Sequence, residues 1–329
     1  MACVKADGYG HGIVTVAEAL RSHARGYAVA CIEEALRLRD ASMELPILLL
    51  EGPHARAEID EAFARGLILC ISDQRQLDWL ASSAPGRRPP CWLKVDSGMH
   101  RLGFLPDDAR GALARLRDLT DVESLVLCTH FAAADTPGDP TTAEQLRRFD
   151  AVAAGTPFAQ SCANSAAVID HPASHRDWIR PGYMLYGGSP FADRRTSDLG
   201  LAPAMEFSAE IIALRQVGVG EGVGYGGRWR ARRPSTIATV AAGYADGYPR
   251  HAVDGTPVRI GAHRSPLAGR VSMDMITVDV TDNPDARVGA RAILWGDDPG
   301  VDEIARASNT IGYELLSAMP SRVPREVVA

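Results

Sequence analysis

The chain has 329 residues, 46% of them hydrophobic and 23% charged, with a formal net charge of −6. The acidic balance argues against a nucleic-acid surface, which needs a basic face. No apolar run reaches the roughly 18 residues of a membrane helix, and the opening residues lack a signal-peptide pattern, so a cytoplasmic protein with no membrane contact is expected.

The first element is a short apolar run, Ala2–Ala6, ending in "VKA", followed by the glycine-crowded turn "DGYGHG" and an apolar stripe (Ile13, Val16, Ala17, Leu20) at helical spacing. Seven further apolar runs follow, at 27–32, 46–50, 67–71, 91–95, 124–129, 159–163 and 178–186. Between most of them lie segments of helical character such as "EEALRLRDA", "PDDARGALARLRDL" and "TTAEQLRRFDAVAA". Strands that alternate with helices and read as continuous apolar runs predict an α/β fold, a parallel (β/α)8 TIM-like barrel. Lys5, Glu51, Lys94, Asp96, His130, Asn164, Ser165 and Arg180 all fall at or just past the C-terminal ends of these runs, the face on which barrel active sites are built.

The six cysteines (Cys3, Cys31, Cys70, Cys91, Cys128, Cys162) lie inside the runs without a CxxC pair. They are expected to be buried thiols, with neither a metal site nor a disulfide framework. From about residue 204 the pattern changes to alternating or β-rich segments such as "MEFSAEIIALRQV", "STIATVAAGYA" and "RVSMDMITVDV". A mainly antiparallel β domain is therefore predicted over 204–329, after a barrel over 1–203. Gly222–Gly227 fits GxGxxG, but "RWRARRP" follows in place of a helix, so a hairpin is expected and no dinucleotide site.

A lysine at the end of a barrel strand serves either as a salt-bridge partner or as a Schiff-base amine for a carbonyl compound. Its neighbours favour the second. Tyr9 can reach a phosphate, "CANSAA" supplies Asn164, Ser165 and backbone N–H groups, and "RPGYMLYGG" supplies Arg180, Gly182 and Tyr183.

"VKADGYGHG" closely resembles the cofactor-lysine motif of the alanine racemases. "KVDSGMHRLGF", "THFA", "ANSAA", "RPGYMLYG", "VGYGG", "AAGYADGYPR", "GRVSMDM" and "RVPR" are similar to further segments of that family, in the family's order along the whole chain. The resemblance implies racemisation of alanine by two-base proton transfer on pyridoxal 5′-phosphate, supplying D-alanine for peptidoglycan. It makes Lys5 the cofactor lysine and one base, and Tyr244 the other. It gives Tyr9, Asn164, Ser165, Gly182 and Tyr183 to the cofactor. It sets Arg180 beside the pyridine nitrogen, with His130 linking the arginine to the tyrosine. Arg101 contacts the cofactor and the substrate carboxylate, Lys94 is a candidate for carbamylation, and Met273 and Asp274 close the substrate pocket. A head-to-tail homodimer with shared active sites is implied.

Three departures stand out. The family pattern places a strand and a helix ahead of the lysine strand, whereas Lys5 is the fifth residue here. Ser161 occupies a position that is usually histidine. Ser321 replaces a larger residue near the substrate pocket, which raises an alternative: a serine-active or broad-specificity racemase. A truncated, non-catalytic cofactor-binding homologue is the other.

Overall fold

The computed structural model describes residues 1–328, which form two units. The first comprises Met1–Leu185 with Pro190–Asp193, and the second Tyr186–Ser189 with everything from Arg194 onward.

The first unit is built on seven parallel strands in sequential order: β1 (Ala2–Cys3), β2 (Tyr27–Val29), β3 (Ile47–Leu49), β4 (Leu67–Ile71), β5 (Cys91–Lys94), β6 (Val126–Cys128) and β7 (Ala159–Ser161). β2, β3 and β6 are buried at every residue, as strands covered on both faces must be. The eighth run, expected as a strand over 178–186, is much shorter. Only Trp178 makes a parallel bridge, to Ser161. The Arg180 N–H then donates to the Ala163 carbonyl, and the Cys3 N–H to the Pro181 carbonyl, closing the sheet back onto β1. Pro181 cannot donate to a ladder, and the chain turns into a 3-10 helix at Tyr183–Tyr186. The expected helices form between the strands, among them Ile32–Asp40, Pro106–Arg117 and Thr141–Ala153. Five cysteines are buried as expected, but Cys31, at the helix entrance, is only half-buried. Cys70 and Cys128 meet inside the barrel with their sulfurs 3.6 Å apart.

The second unit holds β8 (Phe207–Val217), β9 (Gly222–Val223), β10 (Trp229–Arg230), β11 (Ser235–Val240), β12 (Pro257–Ile260), β13 (His263–Pro266), β14 (Ile276–Asp279) and β15 (Arg291–Trp295). Six of these make one antiparallel sheet in the order β13-β12-β15-β8-β11-β14. A bridge from Leu267 to Val278 joins its two edges, giving a small barrel whose core includes Ile237, Val258, Val278 and Trp295. β9 and β10 form the hairpin expected of the GxGxxG segment. Short helices at Val301–Ala307 and Gly312–Ser317 complete the unit.

Candidate active site

Lys5 follows β1 and is half-buried. The turn behind it is unusual. Ala6, Asp7, Gly8, Tyr9 and Gly10 all have φ between 50° and 77°, a left-handed helical turn. Glycine adopts this freely, but each L-residue in a left-handed helix costs about 1–2 kcal/mol, and Ala6, Asp7 and Tyr9 carry that cost. Local contacts offset it. The Ala6 N–H donates to Glu34 Oε1 at 2.6 Å, the Ile13 N–H to Asp7 Oδ1 at 3.1 Å, and Arg37 Nη2 pairs with the same Asp7 oxygen at 2.8 Å.

The turn buries Tyr9 and sends its hydroxyl across to Gly182, where a side chain would not fit: a Cβ there would lie 2.4 Å from the Tyr9 hydroxyl oxygen. Ser165 completes this corner. Its Oγ accepts from the Gly182 N–H at 2.9 Å and the Met184 N–H at 3.4 Å, leaving the hydroxyl proton to be donated elsewhere. Asn164 turns its carboxamide oxygen onto the Ala167 N–H at 3.0 Å and caps the helix Ser165–Asp170. Tyr183 is fully buried just beyond.

Arg180 is buried, with 5% exposure. Its guanidinium donates to Ser161 Oγ, to the Thr129 carbonyl and, at 3.3 Å, to the Cys162 carbonyl. Ser161 Oγ in turn donates to the Trp178 carbonyl at 2.8 Å. Serine at this position thus still orients the arginine, by one neutral contact. Lys94, Asp96, Met99, Arg101 and His130 line one small pocket. Asp96 shapes its rim, one carboxylate oxygen accepting the Gly98, Met99 and His100 N–H groups at 3.0 Å each. Burial holds the His130 imidazole well below its ordinary pKa, and the charges of Arg180, Lys94, Arg101 and Lys5 add to the depression. His130 is therefore neutral among four cations.

In the second unit, Tyr244 opens a 3-10 turn, Tyr244–Asp246, and is 41% exposed; Met273 is 54% exposed. Backbone bonds tie their two loops together: the Tyr244 N–H donates to the Ser272 carbonyl at 3.0 Å, and the Ala245 N–H to the Met273 carbonyl at 2.9 Å. Gly243 permits this approach, since a Cβ there would stand 2.3 Å from the Met273 carbonyl oxygen. Arg322 fastens the pair, reaching Asp246 and Asp274 at 3.0 Å each. Ser321 beside it is exposed.

The barrel unit thus brings Lys5, Lys94, Arg101 and Arg180 within electrostatic reach of His130, and joins Tyr9, Ser165 and Gly182 in one corner. Tyr244 and Met273 are adjacent in the β unit. Residues 1–190 match the family model of the alanine racemase N-terminal domain, and residues 204–327 that of the C-terminal domain. The chain belongs to the alanine racemase family. The alanine racemase of Stutzerimonas stutzeri is 51% identical over 328 residues, covering 99% of this chain and 91% of the relative. The biosynthetic alanine racemase of Pseudomonas aeruginosa is 50% identical, and its crystal structure matches with a TM-score of 0.95 over 99% of this chain and 91% of that one. The alanine racemase of Bartonella henselae, solved with covalently bound pyridoxal phosphate, matches with a TM-score of 0.90 at 30% identity, over 99% and 92% of the two chains.

Sequence reasoning missed Glu34, Thr129 and Arg322. Each acts on a functional loop through a contact at least 28 residues away in the chain. The one local hint is Glu34, an acid in the first turn of its helix, where a carboxylate commonly accepts a free backbone N–H.

Proposed function

We propose that this alanine racemase family member interconverts L-alanine and D-alanine, with pyridoxal 5′-phosphate held by the barrel unit and the second base supplied by the β unit of another copy in a head-to-tail homodimer. The observation that carries the cofactor assignment is Lys5 at the head of a left-handed turn whose Tyr9 hydroxyl meets Gly182 beside Ser165, with the buried Arg180 guanidinium held two residues before that glycine. A phosphorylated aldehyde fits it: a primary amine for the carbonyl, hydroxyl and N–H donors for the phosphate, and a buried arginine for the ring. When bound, the cofactor supplies an electron sink that makes the alanine Cα proton removable.

Lys5 would hold the cofactor's aldehyde through its amine, and the same amine is placed to move the Cα proton on one face. The Tyr244 phenol moves a proton on the opposite face. A free phenol has a pKa near 10, so neighbouring positive charge is needed to make it an efficient base. Arg180, always charged and pinned by three acceptors, would face the cofactor's ring nitrogen and disfavour its protonation. Tyr9, Ser165, Asn164, Gly182 and Tyr183 take the phosphate. Arg101 orients the substrate carboxylate, and carbamylation of Lys94 would give Arg101 an anionic partner. The exposed Tyr244 and Met273 are the surfaces the β unit offers to a second chain, with Met273 closing that chain's substrate pocket. The enzyme works in the cytoplasm and its D-alanine serves peptidoglycan. Among the described residues no helix is long and apolar enough to cross a membrane.

The test is borohydride reduction of the purified protein with pyridoxal phosphate, followed by peptide mapping. The cofactor should be fixed on Lys5, and Tyr244→Phe should lose racemisation while keeping the yellow colour. A protein that stays colourless with added cofactor refutes the site. Turnover of L-serine beside L-alanine measures the breadth implied by Ser321.

A further inference from the structure

We propose that Glu34, on the helix Ile32–Asp40, is a positioning residue for the reaction: its carboxylate clasps the left-handed turn that presents Lys5. The proposal rests on the reading that Lys5 carries the cofactor.

The two oxygens of Glu34 do different things. Oε2 accepts the Ala30 N–H at 2.9 Å, just ahead of the helix that Glu34 itself belongs to. A glutamate in the first turn commonly satisfies a donor there, so helix formation accounts for this contact. Oε1 accepts the Ala6 N–H at 2.6 Å, from a different loop 28 residues away. The helix has no need of that second bond. It falls on the peptide directly after Lys5, where three consecutive residues and then Tyr9 take positive φ. An L-residue held in that region relaxes unless its surroundings over-determine it. A bond from a carboxylate to a backbone N–H is of the stronger, charge-assisted kind, and it fixes the N-terminal edge of the strained turn. Arg37, one helical turn further along the same face, holds the next residue, Asp7, at 2.8 Å. Both contacts lie at the surface, but Arg37 and Asp7 are two exposed side chains whose pairing contributes little, whereas Glu34 is half-buried, its second oxygen is already fixed on the Ala30 N–H, and its partner is the backbone itself. Glu34 therefore carries most of the clasp and Arg37 a minor part. The same turn aims both Lys5 and Tyr9, so the clasp sets the distance between the amine and the phosphate corner.

The variants are Glu34→Ala, Glu34→Gln and Arg37→Ala, read in two ways. The first is hydrogen exchange over residues 6–10 in the cofactor-free protein, which needs no chemistry at the site. Glu34→Ala should speed exchange there about tenfold or more, with the rest of the barrel unchanged. Glu34→Gln should fall between, since one amide oxygen can replace only one of the two acceptors, and Arg37→Ala should stay close to the unaltered protein. The second is kinetics: kcat should fall about tenfold to a hundredfold in Glu34→Ala, as for a reacting group displaced by about 1 Å, with KM for alanine much less affected. Should the alanine variant fail to fold, Glu34→Gln carries the same comparison. Exchange and kcat both unchanged in a folded Glu34 variant would overturn the clasp, as would an Arg37→Ala effect equal to that of Glu34→Ala. If borohydride fixes no cofactor on Lys5 in the unaltered protein, the functional reading falls, while the exchange data still decide whether Glu34 holds the turn.

Discussion

Gly182→Ala is the sharpest test of the cofactor corner, because the substitution changes one distance and little else. The added Cβ would stand 2.4 Å from the Tyr9 hydroxyl oxygen and 3.2 Å from Cζ, whereas real Cβ contacts essentially never fall under 3.0 Å, so the hydroxyl must retreat by at least 0.6 Å (3.0 − 2.4). Tyr9 cannot swing freely: it is 9% exposed, and its backbone sits in the left-handed turn. Gly182 itself is outside the positive-φ region, so alanine there is not strained and the fold should hold. Misplacement of a binding group by about 1 Å costs up to about a hundredfold. Pyridoxal phosphate affinity, titrated by absorbance into cofactor-free protein, should fall about tenfold to a hundredfold, while the fold persists with a stability loss of about 1–3 kcal/mol from the overpacked corner. Adding Tyr9→Phe removes the atom that clashes, so the double variant should match Tyr9→Phe alone, a non-additivity expected only of groups in contact. Unchanged affinity in a folded Gly182→Ala protein, or strict additivity with Tyr9→Phe, would refute the reasoning.

Three further outcomes follow from the same geometry. Ser161→Ala removes an acceptor from the buried Arg180, and leaving that donor unsatisfied should cost about 1–3 kcal/mol in urea denaturation; an unchanged midpoint counts against the contact. Arg322→Ala removes an exposed ion pair to Asp274 and a second to Asp246, whose side chain is only 14% exposed, so stability should fall by about 1 kcal/mol, while kcat falls several-fold because the Tyr244 turn keeps only its backbone bonds to the Met273 loop; equal kcat in the variant argues against a role for Arg322 in that tie. His130 stays neutral in the native state, whereas in the unfolded chain it titrates near about pH 6.5. Below that pH the unfolded state binds a proton the native state refuses, so stability falls as pH falls. Denaturation midpoints compared between about pH 7.5 and 5.5 should show a drop that is smaller in His130→Asn, and parallel curves for the two proteins would exclude the effect.

How much of this was legible in the sequence depends on whether the information is local. The barrel strands announce themselves because burial on both faces leaves them continuously apolar, and the β unit because its strands alternate. Lys5, His130 and Arg180 could be placed because polar residues at the ends of such strands gather on one face. The eighth strand was overestimated because Trp178–Tyr186 is apolar enough to pass for one, yet Pro181 and the 3-10 turn at Tyr183 end it early. The cysteine reading failed only at Cys31, where the chain leaves the sheet for a helix entrance and burial stops.

The turn after Lys5 marks the deeper limit. Its glycines advertise a turn, and Gly8 and Gly10 explain why positive φ is available there. Local bonds help, among them the Gly10 N–H on the Ala6 carbonyl at 2.9 Å and His11 Nδ1 on the Tyr9 carbonyl at 2.8 Å, but the intrinsic preferences of Ala6 and Tyr9 oppose the conformation. What tips the balance lies elsewhere in the chain: Glu34 on Ala6, Arg37 on Asp7, and the missing side chain at Gly182 that makes room for Tyr9. A sequence can state a residue's preference, but it does not state which distant group will override it. The same reasoning applies to Arg180, whose charge is plain from its identity while its orientation depends on Thr129, just past β6, and Ser161, at the end of β7. Groups that do chemistry can therefore be recognised one at a time. Those that aim them become visible only when strands and helices distant in sequence have been brought together, and substitutions at such positions should alter rates more than they alter stability.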